Sequence, residues 1–203
     1  MQLSLPIDAP PEGLTYQPDF ITLAEEQALL ENLNTVQLHA VVMHGQAAKR
    51  TVAHFGLGYG YDSRQALQGA PPLPPWLATL AARVAPRLHA RADAVAEVLV
   101  TRYPPGARIG WHKDAPAFGP AVAGLSLAGP CQLRFRHAHG DSYDAYALDV
   151  APRSLYILDG PVRARWQHMI PPAPSLRWSL TFRTLAAPDR LPARALSRRR
   201  GDG

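Results

Sequence analysis

The second half of the chain is built from short runs in which apolar residues alternate with others or are β-branched: Glu97 to Tyr103, Val122 to Leu127, Gln132 to Arg136, Asp144 to Val150, Ser154 to Leu158 and Leu176 to Leu185. Turn residues separate them, as in Pro104-Pro105-Gly106 and Asp159-Gly160-Pro161. Strands of this length cannot stand alone and must close on one another. Six of them at this spacing therefore point to an antiparallel barrel or jelly roll.

Ahead of this region two helices are predicted. Thr22-Leu23-Ala24-Glu25 has capping-box spacing and opens a helix running to about Asn34, with Leu23, Leu29, Leu30 and Leu33 as apolar positions. Pro74 and Pro75 stand where an amino-terminal turn tolerates proline. From there Trp76, Leu77, Leu80, Ala81, Val84 and Leu88 recur at helical spacing, predicting a helix to about Asp93. Residues 1 to 19 read as Pro-rich and irregular, and 36 to 61 as short β-like pieces among glycines.

With 203 residues, 47% of them apolar, the chain can bury one sizeable core. The uncharged run Phe118 to Leu133 is broken by Gly119, Pro120, Gly124, Gly129 and Pro130, so no membrane span is expected. A single cysteine, Cys131, allows neither an internal disulfide nor a cysteine-rich zinc site, and a monomeric, cytoplasmic protein is expected. The net charge of +5 invites a nucleic-acid partner, but +3 of it lies in residues 184–203. What remains is a nearly neutral body with a basic arm.

The chemistry is concentrated in two places. In Gly110-Trp111-His112-Lys113-Asp114, His112 and Asp114 are two apart, so on extended backbone both side chains reach one face and can share an ion. His168 is the best candidate for a third ligand, since it follows a strand and turn and leads into another strand. Two His and one carboxylate leave three metal positions open, the pattern of non-haem Fe(II) oxygenases. By itself a His-x-Asp also fits hydrogen-bonded strand residues. The second place is Arg177-Trp-Ser-Leu-Thr-Phe-Arg183, where even spacing sends both Arg to one side with Ser179 and Thr181, and Trp178, Leu180 and Phe182 to the other. Either this is an edge strand with both Arg in water, or the guanidinium groups are inward. Inward, they need an anion, and a dicarboxylate would match them.

Taken in order, a Tyr103-Pro-Pro-Gly turn, His112-x-Asp114, His168 and Arg177-x5-Arg183 resemble the AlkB family of Fe(II)/2-oxoglutarate dioxygenases. The resemblance implies an α+β, mostly β fold, with a double-stranded β-helix (jelly-roll, cupin-like) core buttressed by two helices. It implies one domain over 1–186, residues 36–75 forming a substrate lid, and a flexible basic tail over 187–203. It also implies catalytic Fe(II) held by His112, Asp114 and His168, with 2-oxoglutarate and O2 as co-substrates. Arg177 would pair with the distal carboxylate, assisted by Tyr103, and Arg183 would lie near the iron-bound carboxylates. Thr101 and Ser179 stand where many members carry Asn and offer hydroxyls to the co-substrate.

The activity so implied is oxidative demethylation of an N-alkylated substrate, releasing formaldehyde, succinate and CO2. Alkylated bases of single-stranded or duplex nucleic acid are the first choice, and DNA repair the implied setting. Tyr59 and Tyr61 would stack a flipped base, and Arg136, sharing a strand face with Arg134, would meet an anionic substrate. Trp111 is expected in the core, and His137 and His139 in a loop. A protein side chain is the alternative substrate, and a non-catalytic barrel or a hydrolase using another metal the alternative to a dioxygenase.

Overall fold

The protein is described by a computed structural model, covering residues 3–43, 45–60, 65–67 and 69–186. In chain order its elements are β1 (Leu3–Pro6), β2 (Leu14–Gln17), α1 (Leu23–Leu33), β3 (His39–Met43), β4 (Gln46–Gly56), β5 (Gly58–Gly60), β6 (Gln65–Leu67) and α2 (Pro75–Val84). Then follow β7 (Val95–Tyr103), β8 (Ile109–His112), β9 (Phe118–Leu127), β10 (Cys131–His139), β11 (Ser142–Val150), β12 (Leu155–Leu158), α3 (Gly160–Arg165), β13 (Gln167–Ile170) and β14 (Arg177–Leu185). The strands form a larger sheet ordered β2-β12-β9-β14-β7-β4-β3, a smaller one ordered β1-β11-β10-β13-β8, and the pair β5-β6. This is the mostly β jelly roll expected, and all six strands read from the sequence are present.

The alternation along β14 explains the layers. Trp178, Leu180 and Phe182 point outward and join Val98, Val100, Ala123 and Leu125 beneath Leu29 and Leu33 of α1 and Leu77, Leu80 and Val84 of α2. The two helices thus cover the outer face of the larger sheet. A second cluster, including Tyr103, Leu133, Phe135, Tyr156, Leu158, Trp166 and Ile170, fills the space between the sheets. The helix entry is tied as predicted: the Thr22 hydroxyl accepts from the Glu25 amide, and the Glu25 carboxylate accepts from the Thr22 amide. No helix among the described residues is long and apolar enough to cross a membrane.

Four expectations are corrected. Residues 1 to 19 are not wholly irregular, because β1 pairs parallel to β11 and β2 antiparallel to β12; four-residue edge strands carry too little pattern to stand out alone. The second helix ends at Val84 instead of Asp93, since Pro86 has no amide to donate and the chain tightens into a 3-10 turn over Ala85–Leu88. The stretch read as short β-like pieces among glycines holds an eleven-residue strand: β4 pairs with β7 from Thr51 to Gly56, and β3 extends the same sheet. His168 lies within a further strand, β13, that the pattern did not show, and the Asp159-Gly160-Pro161 turn starts α3, with the Asp159 carboxylate accepting from the Gly160 amide. Tyr61 and the 187–203 tail lie outside the described residues, as does the Tyr59 side chain.

Candidate metal and co-substrate site

Antiparallel pairing of β8 with β13 sets His112 directly opposite His168. Their rings stand 4.2 Å apart, and Asp114, two residues beyond His112, brings Oδ2 to 3.8 Å from His168 Nε2. The loop carrying Asp114 is clamped by α3, where the Arg163 guanidinium donates to the carbonyls of Asp114 and Ala115. His112 Nδ1 lies 2.8 Å from the Gly110 carbonyl. A proton there leaves Nε2 with its lone pair for a metal. As they stand, no three His, Cys, Asp or Glu side chains among the described residues are grouped closely enough to hold an ion. Adjacent ligands at about 2.1 Å from one ion are about 3 Å apart, so the His168–Asp114 gap has to close by under about 1 Å. Two imidazoles and one carboxylate, brought together from two chain segments, are a donor set that fits Fe(II).

Burial is the largest influence on both buried ligands. It pushes the Asp114 carboxyl up, but His168, Arg183, Arg163 and His112 outweigh it and hold the group well below the usual carboxylate range. It pulls the His168 imidazole down to about 4, which Asp114 only partly opposes. At neutral pH the site therefore presents an anionic carboxylate and a neutral imidazole, the forms a metal requires. A consequence for the metal-free protein follows by linkage. Unfolded His takes up its proton near pH 6.5, whereas folded His168 does so only near pH 4. Between those values the unfolded chain binds more protons, so stability falls as pH drops through the window. The melting temperature of the metal-free protein is expected to decline from about pH 6.5 to about pH 4, with a shallower slope in His168→Gln; equal slopes in the two proteins would remove this account.

The candidate co-substrate wall is the inner face of β7 and β14. Register places Arg177 opposite Tyr103, Ser179 opposite Thr101 and Arg183 opposite Glu97. Arg177 is wholly buried, which excludes the edge-strand reading. Its Nε donates to the Ser126 hydroxyl and its guanidinium carbon stands 5.2 Å from the centre of the Tyr103 ring, while Nη1 and Nη2 have no hydrogen-bond partner. A buried fork without an acceptor is costly, and a carboxylate is the group that satisfies both nitrogens at once. Beside it lies a cavity of about 630 Å³, lined by Tyr103, against which Arg177 packs, by Thr101, Ser179 and Arg183, and by all three candidate metal ligands.

Several residues of this wall were not legible in the sequence. Tyr156 lies over Gly124, where a Cβ would stand 2.2 Å from its ring, and burial pushes its hydroxyl up to about 12, opposed by Arg177. The Tyr103 hydroxyl is raised for the same reason, with Arg177 and Arg50 opposing. Glu97 is wholly buried and binds both His54 and Arg183. Arg50, from β4, also lines the cavity.

Two readings of the rim change. Trp111 is not core: it is 36% exposed and lines the cavity next to His112. Arg136 stacks between Trp111 and Tyr143, at 4.4 and 4.7 Å from the ring centres, and donates to Gln167. Arg134 points to solvent and donates to Gln132. His137 and His139 lie in β10, not in a loop; His137 stacks on Trp166, and His139 faces Asp144.

Comparison with known proteins gives the family. Residues 13–183 match the family model described as the 2OG-Fe(II) oxygenase superfamily. An Arabidopsis thaliana alkylated DNA repair protein ALKBH8 homolog is 30% identical over 181 residues, covering 78% of this chain and 51% of that protein. A Mus musculus tRNA (carboxymethyluridine(34)-5-O)-methyltransferase ALKBH8 is 28% identical over 171 residues, covering 82% and 25%. The chain thus spans about half, or less, of the curated relatives it matches. Among solved structures, OsALKBH1 superposes with a TM-score of 0.66 at 16% identity, covering 87% of this chain and 99% of that one. A Pseudomonas putida prolyl-4-hydroxylase does so at 0.59 and 18%, covering 85% and 92%. The chain therefore belongs to the 2OG-Fe(II) oxygenase superfamily, a family that uses Fe(II), 2-oxoglutarate and O2.

Proposed function

We propose that the protein oxidatively dealkylates N-alkylated bases of nucleic acid. The observation that carries this reading is Trp111, an exposed indole on the cavity rim adjoining His112 and stacked on its neighbour Arg136. A planar ring fixed beside a cation suits a base next to a phosphate. Relatives named for alkylated DNA repair and for tRNA modification support the same substrate class.

In this reading His112, Asp114 and His168 hold Fe(II), and the Arg177 fork takes the distal carboxylate of 2-oxoglutarate, with Tyr103 beside it. The iron, bound with 2-oxoglutarate and O2, supplies C–H oxidation coupled to release of succinate and CO2. The protein's contribution is placement: β8 and β13 set the ligands, β7 and β14 orient the co-substrate, and the apolar lining from Leu99, Val122, Leu133 and Leu158 limits water. An N-methyl group held at the mouth becomes N-hydroxymethyl and loses formaldehyde, leaving the N–H.

With Fe(II), 2-oxoglutarate and ascorbate, formaldehyde is expected from N-methylated single-stranded DNA or RNA oligonucleotides and not from methylated peptides. Stacking worth about 1–3 kcal/mol per base means Trp111→Ala should raise the oligonucleotide KM by about tenfold or more without changing the 2-oxoglutarate requirement. Oxidation of peptides alone would overturn the nucleic-acid reading and favour a protein side chain.

A further inference from the structure

Behind the candidate metal ligands runs a chain of buried polar groups. Arg183 Nη2 donates to Asp114 Oδ1 at 3.1 Å, Arg183 Nη1 donates to Glu97 Oε2 at 2.8 Å, and Glu97 Oε1 stands 2.7 Å from His54 Nδ1. Glu97 is wholly inaccessible, and the Arg183 and Asp114 side chains are nearly so. The links come from four separate segments: β4, β7, β14 and the loop after β8. A buried carboxylate is retained only where it is well paired, and this one is paired on both oxygens.

We infer that Glu97, held by His54, is a positioning residue for the metal site: it shares Arg183 with Asp114 and so leaves one Asp114 oxygen for the ion. The reason is competition. Arg183 lies between two carboxylates, each taking one of its terminal nitrogens. Without the Glu97 charge, the full attraction of Arg183 falls on Asp114, whose oxygens the metal needs. The guanidinium, fixed at one end by Glu97, contacts Asp114 through a single nitrogen, to Oδ1, while Oδ2 faces His168. His54 in turn satisfies the Glu97 oxygen that Arg183 does not use. Outer groups that orient metal ligands are commonly worth 10–100-fold in affinity.

The inference rests on His112, Asp114 and His168 being the metal ligands, and its test separates the two. Co(II) is titrated into metal-free protein, read by its visible absorption, with folding followed by circular dichroism. Wild type should bind, and Glu97→Gln, which keeps size and hydrogen-bonding capacity but not charge, should bind about 10–100-fold more weakly with its fold intact. His54→Leu should weaken binding to a smaller degree, and His54→Asn, which restores a donor near the Nδ1 position, should recover it. If wild type binds no Co(II), the metal-site reading fails. If wild type and Glu97→Gln bind equally and differ only in melting temperature, Glu97 is merely structural and the inference is overturned. Should Glu97→Gln not fold, the His54 pair decides, and equal affinity in His54→Leu, His54→Asn and wild type overturns it.

Discussion

Asp114→Asn is expected to cut succinate formation from 2-oxoglutarate by at least about 10³-fold while leaving the protein folded. A metal's Lewis-acid and templating role is worth several kcal/mol, and each 1.36 kcal/mol is a tenfold change in rate. Asn matches the carboxylate in shape and keeps an oxygen for Arg183 Nη2, which in the wild type donates to Asp114 Oδ1. It removes the negative charge that His168, Arg183, Arg163 and His112 hold in place against burial. Asp114→Ala should also abolish turnover but at a greater cost in stability, because it deprives one end of a buried guanidinium of its acceptor. Succinate formation by Asp114→Asn at the wild-type rate would remove the triad assignment.

Arg177→Met should act on the co-substrate and on stability in opposite directions. The loss of a buried, charge-assisted fork costs about 3–5 kcal/mol when its partner is present, so the 2-oxoglutarate KM should rise by about 10²- to 10³-fold. In the absence of 2-oxoglutarate the fork has no such partner: Nη1 and Nη2 are buried without hydrogen bonds. A flexible apolar chain of similar length relieves that cost, and the melting temperature of the co-substrate-free protein should rise. Arg177→Lys keeps the charge but not the planar pair of donors and should fall between the two. An unchanged 2-oxoglutarate KM in Arg177→Met would rule out this Arg as the anchor.

The parts legible in the sequence are those set by local geometry. Arg177, Ser179, Thr181 and Arg183 share a face because side chains alternate along a strand, and the two-residue spacing of His112, the last residue of β8, and Asp114, in the loop after it, marks the pair. The start of α1 is written in Thr22 and Glu25, three residues apart. Where the pattern was short or two-sided, it misled. Trp111 alternates with His112 and so reads as core, but β8 pairs only with β13, at the edge of the smaller sheet, and its other side is open. Residues 39–56 read as short β-like pieces among glycines, yet β4 runs for eleven residues and pairs with β7 from Thr51 to Gly56.

The amino-acid sequence by itself determined the chemistry available: two imidazoles, a carboxylate and two guanidinium groups on one face of a strand, carried on strands that must close into a barrel. Only the tertiary structure decided which groups stand behind them. Glu97 and Arg183 are 86 residues apart and Glu97 and His54 are 43 apart, and Tyr156 fits only because Gly124 lies opposite. Those pairings depend on the register between strands, which is fixed when whole faces are buried together and which no local pattern records.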